Sequence, residues 1–155
     1  MDPDVRSRVL EVYAEVDAAV AAAKPRCDAS GRCCRFTEYG HTLFLSQFEA
    51  DILLETAPAY SKPVSRDFCP FQVQGLCIAR ESRPLGCRIY FCDPAFQEQQ
   101  HTITETAVAK LKTIADEFDT GWNYAPLHAM LNAAEPSRGA VELNVRVPLS
   151  VLTDV

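Results

Sequence analysis

The sequence has no long apolar run and little glycine. Its apolar stretches are short and interrupted, so no segment is predicted to span a bilayer. The charged start, MDPDVRSR, has no apolar core of a secretory signal, and we expect a cytoplasmic protein without membrane association. The six glycines form no glycine-rich nucleotide loop, and the HExxH and nucleophile-elbow motifs are missing. The sequence therefore carries no familiar catalytic signature.

Acidic residues outnumber basic residues in this sequence. The chain has 15 Lys and Arg against 21 Asp and Glu, and this net charge of −6 argues against a nucleic-acid partner. The segment 24–92 differs, because it carries nine basic and seven acidic side chains. Four arginines in this segment are adjacent to cysteines, where their positive charge would lower the pKa values of the thiols. A general preference of this chain for arginine over lysine would give the same pattern. The four arginines are Arg26, Arg32, Arg35 and Arg88.

Cysteine is the abundant and clustered residue. An odd number of cysteines cannot pair completely within one chain, and thiols in a cytosol stay reduced. Grouped cysteines in such a protein are best interpreted as metal ligands, which bind as thiolates. All seven lie in one stretch of the chain: Cys27, Cys33, Cys34, Cys69, Cys77, Cys87 and Cys92.

The spacing of these cysteines excludes an ordinary zinc ribbon or finger, because no two of them form a CxxC pair. The pattern is Cys27-x5-Cys33-Cys34, followed much later by Cys69-x7-Cys77-x9-Cys87-x4-Cys92. The ligands of one metal would therefore come from separated parts of the chain. Such a site would join the loop 26–40 to the segment 69–92.

The periodicity predicts a mostly helical α+β fold, a small metal-stapled single domain over 1–155. A valine stripe predicts an N-terminal helix over 4–23, and Ser46 with Glu49 predicts a capping box that opens a second helix. A metal-binding core over 26–93 contains a short hairpin that turns at 74–75. A helical segment over 94–133 and a C-terminal strand over 140–148 complete the prediction.

The flanking residues resemble those of a known family. The order Cys27-Asp28-Ala29-Ser30-Gly31-Arg32-Cys33-Cys34, Cys69-Pro70-Phe71, Cys77-Ile78 and Arg83-Pro84-x-x-Cys87-Arg88 is similar to the CxxCxxCC (YkgJ-type) cysteine-cluster family. The resemblance implies a zinc- or iron-chelating domain, and a flagellin lysine methylase is among the proteins that carry it. Two positions depart from the pattern: Ser30 replaces a cysteine and Ala79 replaces a tyrosine.

The resemblance implies a first choice of four ligands, since each matches a family position and together they link both halves of the motif: Cys34, Cys69, Cys77 and Cys87. Cys33 is either a further ligand or a small buried apolar side chain, because adjacent side chains diverge. Cys92 follows Cys87 by five residues, so both reach one ion only if a helix ends between them. Cys27 lacks a chelating partner, because Ser30 stands where the family has the second cysteine of a CxxC pair.

The metal itself is left open between zinc and an iron–sulfur cluster, both of which four thiolates can bind. The sulfur-only ligand set favours the cluster. The three histidines, His41, His101 and His128, are interpreted as surface or core residues.

Three functions follow from these observations. The first is a metal-binding protein that holds an iron–sulfur cluster or zinc through thiolates. The second is a protein-modifying or redox enzyme that uses the cluster, with Arg83, Arg88 and Tyr90 as pocket residues. The third is an interaction module with a structural zinc. The sequence identifies the metal ion or cluster as a partner but no protein partner.

Overall fold

The computed structural model describes residues 1–135, which form a mostly helical α+β domain. Within this range five helices accompany two antiparallel pairs of short strands. The helices are α1 (Pro3–Ala23), α2 (Gln47–Thr56), α3 (Leu85–Ile89), α4 (Gln97–Glu117) and α5 (Leu127–Ala133). The strands are β1 (Phe44–Ser46), β2 (Gln72–Val73), β3 (Leu76–Cys77) and β4 (Tyr124–Pro126). The strand predicted over 140–148 lies outside the described residues.

Helix α1 begins and ends where its sequence predicts. The Asp2 side chain accepts a hydrogen bond from the Asp4 backbone N–H at 2.7 Å, and Pro3 occupies the first turn. Lys24 closes the helix in a left-handed conformation with φ of 51°. The predicted stripe is buried at Val5, Val9, Val12 and Val16.

No helix in the described part of the chain combines the length and apolarity needed to cross a membrane.

Two apolar clusters share α2 as a common wall. Phe48 and Ile52 of α2 pack into the first cluster, with the valines of α1, Leu85 and Ile89 of α3, and Leu111 and Ile114 of α4. Ala50 and Leu53 pack into the second cluster, which contains the buried residues Cys34, Phe36, Leu43, Leu45, Cys69, Phe71, Ala79, Leu127 and Leu131. Five of the seven cysteines therefore lie in or beside the second cluster: Cys34 and Cys69 belong to it, and Cys33, Cys77 and Cys87 pack against it.

The short strands hold the loops in place. The predicted hairpin forms with Gln72 opposite Cys77 and Val73 opposite Leu76, and Gln74-Gly75 forms its turn. Strand β4 is not apparent from the sequence, because three residues that end in proline show no alternation. It forms by pairing with β1, where Leu45 lies opposite Ala125.

The buried carboxylate of Glu49 connects α2 to α3. It completes the predicted capping box, since one oxygen accepts hydrogen bonds from the Ser46 N–H at 2.7 Å and the Ser46 hydroxyl at 2.9 Å. Its other oxygen accepts the Leu85 backbone N–H at 2.7 Å. Burial raises the pKa of Glu49, and the hydrogen bonds from Ser46 and Leu85 oppose that rise. The first turn of α3 is thereby fixed against α2.

We expect Glu49→Ala to lower the free energy of unfolding by about 3 kcal/mol, because two buried N–H groups lose their acceptor. Urea denaturation measures this loss. Glu55→Ala is the matched control, since this exposed carboxylate on the same helix pairs with Arg6 at 2.9 Å at the surface. Equal losses for the two variants would contradict the structural role of Glu49.

Candidate metal centre

All seven cysteines line a single cavity of about 270 Å³, and all are free thiols. The loop 27–34, the hairpin, α3 and the segment after α3 form its walls. Ser30, which stands where the resembled family has a cysteine, also lines it. The structure therefore brings together residues that are up to 65 positions apart in the sequence.

A short backbone pairing places Cys34 beside Cys69. The Cys69 N–H donates to the Cys34 carbonyl at 2.8 Å, and Arg35 forms an isolated antiparallel bridge with Phe68. The Thr37 hydroxyl continues the contact by donating to the Asp67 carboxylate at 2.7 Å. Both cysteines are buried, with 6% and 7% of their surface exposed. They form the deep end of the cavity.

The hairpin supplies Cys77 and locks onto the loop that carries Cys33. The Gln72 side-chain amide donates to the Gly31 carbonyl at 2.8 Å. Gly31 has φ of 69°, and a Cβ there would lie 2.4 Å from the Gln72 side-chain nitrogen and 3.0 Å from the Gly75 carbonyl oxygen. Only glycine combines this backbone conformation with so close an approach. Cys69 lies before the hairpin, outside its paired residues, as Pro70 predicts.

Helix α3 presents Cys87 to the cavity. Leu85 and Ile89, four residues apart, share the face buried in the first apolar cluster, while Cys87 packs against the second. The helix ends at Ile89, so Cys92 lies beyond it in non-helical chain. This is the break that allows both Cys87 and Cys92 to reach the same cavity.

Cys27 and Cys92 lie on segments that are joined by one side chain. The Asp93 carboxylate accepts the Arg26 backbone N–H at 2.9 Å and caps the next turn by accepting the Ala95 N–H at 3.0 Å. Cys27 is exposed and Cys92 is half-buried. We call these two thiols the outer pair, and we call the other five the inner cysteines: Cys33, Cys34, Cys69, Cys77 and Cys87.

The inner cysteines influence one another electrostatically. The Cys33 and Cys34 sulfurs approach within 4.0 Å. Their contact, followed by burial, raises the pKa of Cys33. Cys33 lowers the pKa of Cys34, but Cys69 and burial outweigh it and raise that pKa to about 12. Burial raises the pKa of Cys87, and the charges of Cys34, Cys33 and Cys77 add to this. Without a metal, these three thiols therefore stay protonated at neutral pH.

Three arginines line the cavity: Arg32, Arg80 and Arg83. Arg83 is fixed by hydrogen bonds to the carbonyls of Arg80 at 3.1 Å and Cys87 at 3.4 Å, and its charge opposes the rise in the Cys87 pKa. Of the four arginines that adjoin cysteines in the sequence, only Arg32 lines the cavity. The other three pair with carboxylates: Arg26 with Asp28, Arg35 with Glu38, and Arg88 with Asp17. Adjacency in sequence does not place a guanidinium beside a sulfur.

An aromatic pair flanks Cys33. Tyr90 lines the cavity and stacks on His41 with ring centroids 4.8 Å apart, and the His41 Nε2 lies 3.3 Å from the Cys33 carbonyl oxygen. The His41 ring thus contacts the backbone of a cysteine, whereas the sequence indicated only a surface or core histidine. Its position in the same loop as Cys33 and Cys34 was the one available signal. His101 is exposed on α4.

The donor set fits a thiolate-bound metal, but the sulfurs surround a space larger than one ion. Four sulfurs bound to zinc at about 2.3 Å lie about 3.8 Å from one another. Within residues 1–135 no three Cys, His, Asp or Glu side chains are arranged to hold one ion. The cavity volume also exceeds the roughly 10–15 Å³ that a single water needs. A lone zinc ion therefore has no preformed set of donors within this part of the chain, although the Cys33 and Cys34 sulfurs are already 4.0 Å apart.

Comparisons with family models, curated proteins and solved structures give no significant match to this chain. The resemblance to the CxxCxxCC family therefore stays a prediction that depends on the residues quoted for it.

We expect Gly31→Ala to destabilise the protein more than Gly40→Ala. Both glycines have positive φ, at 69° and 66°, but a Cβ at Gly40 meets nothing within 4 Å. The strained backbone alone costs about 1 kcal/mol, so Gly40→Ala should lose about that and Gly31→Ala about 2 kcal/mol. Urea denaturation measures both variants. Equal losses would show that the contact between the loop and the hairpin contributes nothing.

We expect iodoacetamide to modify chelator-treated protein first at Cys27, which is exposed, and last at Cys33, Cys34 and Cys87. Only the thiolate reacts, and at about pH 8 the raised pKa values of those three thiols leave little of it. Mass spectrometry of peptides from timed samples gives the order. Uniform labelling of the seven cysteines would contradict the packing of the inner thiols.

Proposed function

We propose that this protein binds a thiolate-ligated metal centre, and that the centre is an iron–sulfur cluster rather than a single zinc ion. Membership of the CxxCxxCC cysteine-cluster family is part of the proposal. The observation that carries it is the convergence of all seven cysteines on one cavity. The two buried cysteines, Cys34 and Cys69, both belong to the second apolar cluster, and Cys33, Cys77 and Cys87 pack against it.

The size and chemistry of the cavity favour a cluster. The space of about 270 Å³ is lined by sulfur donors on several sides. An iron–sulfur cluster is held at its periphery by cysteine thiolates, so its ligands surround a body several atoms wide. A lone zinc ion instead needs four donors around a single point. A cavity of this volume with seven cysteines in its lining has room for the first arrangement.

The charge of the surroundings also supports a bound thiolate centre. Four thiolates around one divalent ion carry a net charge of −2, which is costly to bury without nearby positive charge. Arg32, Arg80 and Arg83 line the same cavity as the sulfurs and supply that charge. The Arg83 guanidinium donates hydrogen bonds to the backbone carbonyls of Arg80 and Cys87, so it is already in position.

Four inner cysteines would hold the centre: Cys34, Cys69, Cys77 and Cys87. Cys34 and Cys69 are joined by a backbone hydrogen bond, Cys77 lies on the locked hairpin, and Cys87 lies on a helix fixed by Glu49. Cys33 contacts Cys34 and is the available fifth donor. A bound cluster would supply one-electron transfer, for which the chain offers a buried and partly apolar site.

The test is to produce the protein anaerobically and to measure its visible spectrum, iron, zinc and acid-labile sulfide. We expect a coloured protein that contains iron and sulfide, and we expect Cys87→Ser to lose most of both because a serine hydroxyl is a poor ligand. Ala79→Ser is the matched control, since this buried residue lines the same cavity and gains a hydroxyl without loss of a thiol.

The possible results separate the alternatives. A colourless protein with neither iron nor zinc would overturn the proposal. One zinc without sulfide would retain the thiolate site and overturn the cluster. Equal metal content in Cys87→Ser and wild type would remove Cys87 from the ligand set.

A further inference from the structure

We propose that the outer pair, Cys27 and Cys92, loads and releases the metal centre by ligand exchange, so that the protein passes its metal to an external thiol. This inference rests on the proposed function, because it concerns how metal enters and leaves the same cavity. The protein would then act as a metal carrier. A permanently bound structural metal would need no such exchange.

The number of thiols is the first argument. Four thiolates complete either a zinc site or a cluster, yet seven line the cavity. Cys33 contacts Cys34 and belongs to the inner group. Cys27 and Cys92 remain as donors that neither alternative requires.

The position of the outer pair is the second argument. Cys34 and Cys69 form the buried end of the cavity, whereas Cys27 is exposed to solvent and still lines the same space. The Asp93 carboxylate binds the backbone of Arg26, so the segments that carry Cys27 and Cys92 are joined at this end. A metal that enters or leaves by the Cys27 side therefore meets the exposed Cys27 thiol before the buried sulfurs, and Cys92 lies on the segment that Asp93 joins to Cys27.

The chemistry of the exchange conserves atoms and electrons. An outer thiol gives its proton to water, and its sulfur forms a bond to the metal. One inner sulfur–metal bond breaks, and that inner sulfur takes up a proton. In the same way an external thiol gives up its proton and binds the metal, while the outer sulfur leaves it and takes up a proton. Four such rounds replace all four inner sulfur–metal bonds, and the centre leaves with its own atoms and oxidation state unchanged. A tethered thiol speeds such a step because its effective concentration is high.

The experiment compares metal release from loaded wild-type protein and the double variant Cys27→Ser/Cys92→Ser. Glutathione is the attacking thiol, and the iron or zinc that stays with the protein after rapid desalting reports the metal released. We expect equal metal content at the start and release several-fold slower in the double variant. Ser30→Ala, in the same loop and lining the same cavity, should release metal at the wild-type rate.

The outcomes distinguish this inference from the function on which it rests. Wild-type protein without metal defeats the proposed function before any rate is measured. A loaded double variant that releases metal as fast as wild type, or faster, overturns the carrier role alone. Loss of metal from the double variant, with its helical circular dichroism unchanged, shows that the outer thiols are permanent ligands and also overturns it.

Discussion

The arrangement of the molecule depends on the buried carboxylate of Glu49. Its two oxygens accept hydrogen bonds from the start of α2 and from the start of α3, so a single side chain sets the distance between these helices. Helix α2 separates the two apolar clusters, and α3 carries Cys87 on the side opposite its buried leucine and isoleucine. A carboxyl group at this depth is tolerated because its oxygens accept hydrogen bonds from Ser46 and Leu85.

The cysteine-bearing segments contain little regular structure, and specific contacts hold them instead. The Cys69–Cys34 backbone bond, the Gln72–Gly31 bond and the Asp93–Arg26 bond each join a pair of loops around the cavity. A site built in this way can adjust its sulfurs to a metal centre at small cost, because few helical or sheet hydrogen bonds need to break. Cys34 and Cys69 are buried and Cys92 is half-buried, while Cys27 is exposed to solvent at the other end of the cavity.

The regular elements were predictable where local chemistry determines them. Asp2 and Pro3 start α1, the Ser46–Glu49 box starts α2, Asp93 and Pro94 start the turn before α4, and Gln74-Gly75 turns the hairpin. Strand β4 was not predictable, because it exists only through its pairing with β1. The second bond of Glu49 to Leu85 was equally hidden, since it joins residues 36 positions apart.

The sequence by itself determined the available thiols: seven, all grouped within 27–92, with no CxxC pair and with Ser30 where the resembled family has a cysteine. The tertiary structure alone decided which side chains share a space. It placed all seven sulfurs on one cavity, and it directed Arg26, Arg35 and Arg88 to carboxylates while Arg80 and Arg83 came to the sulfurs. The reason is that composition and spacing fix which donors are available, whereas the direction of each side chain depends on backbone conformation and on contacts between distant segments.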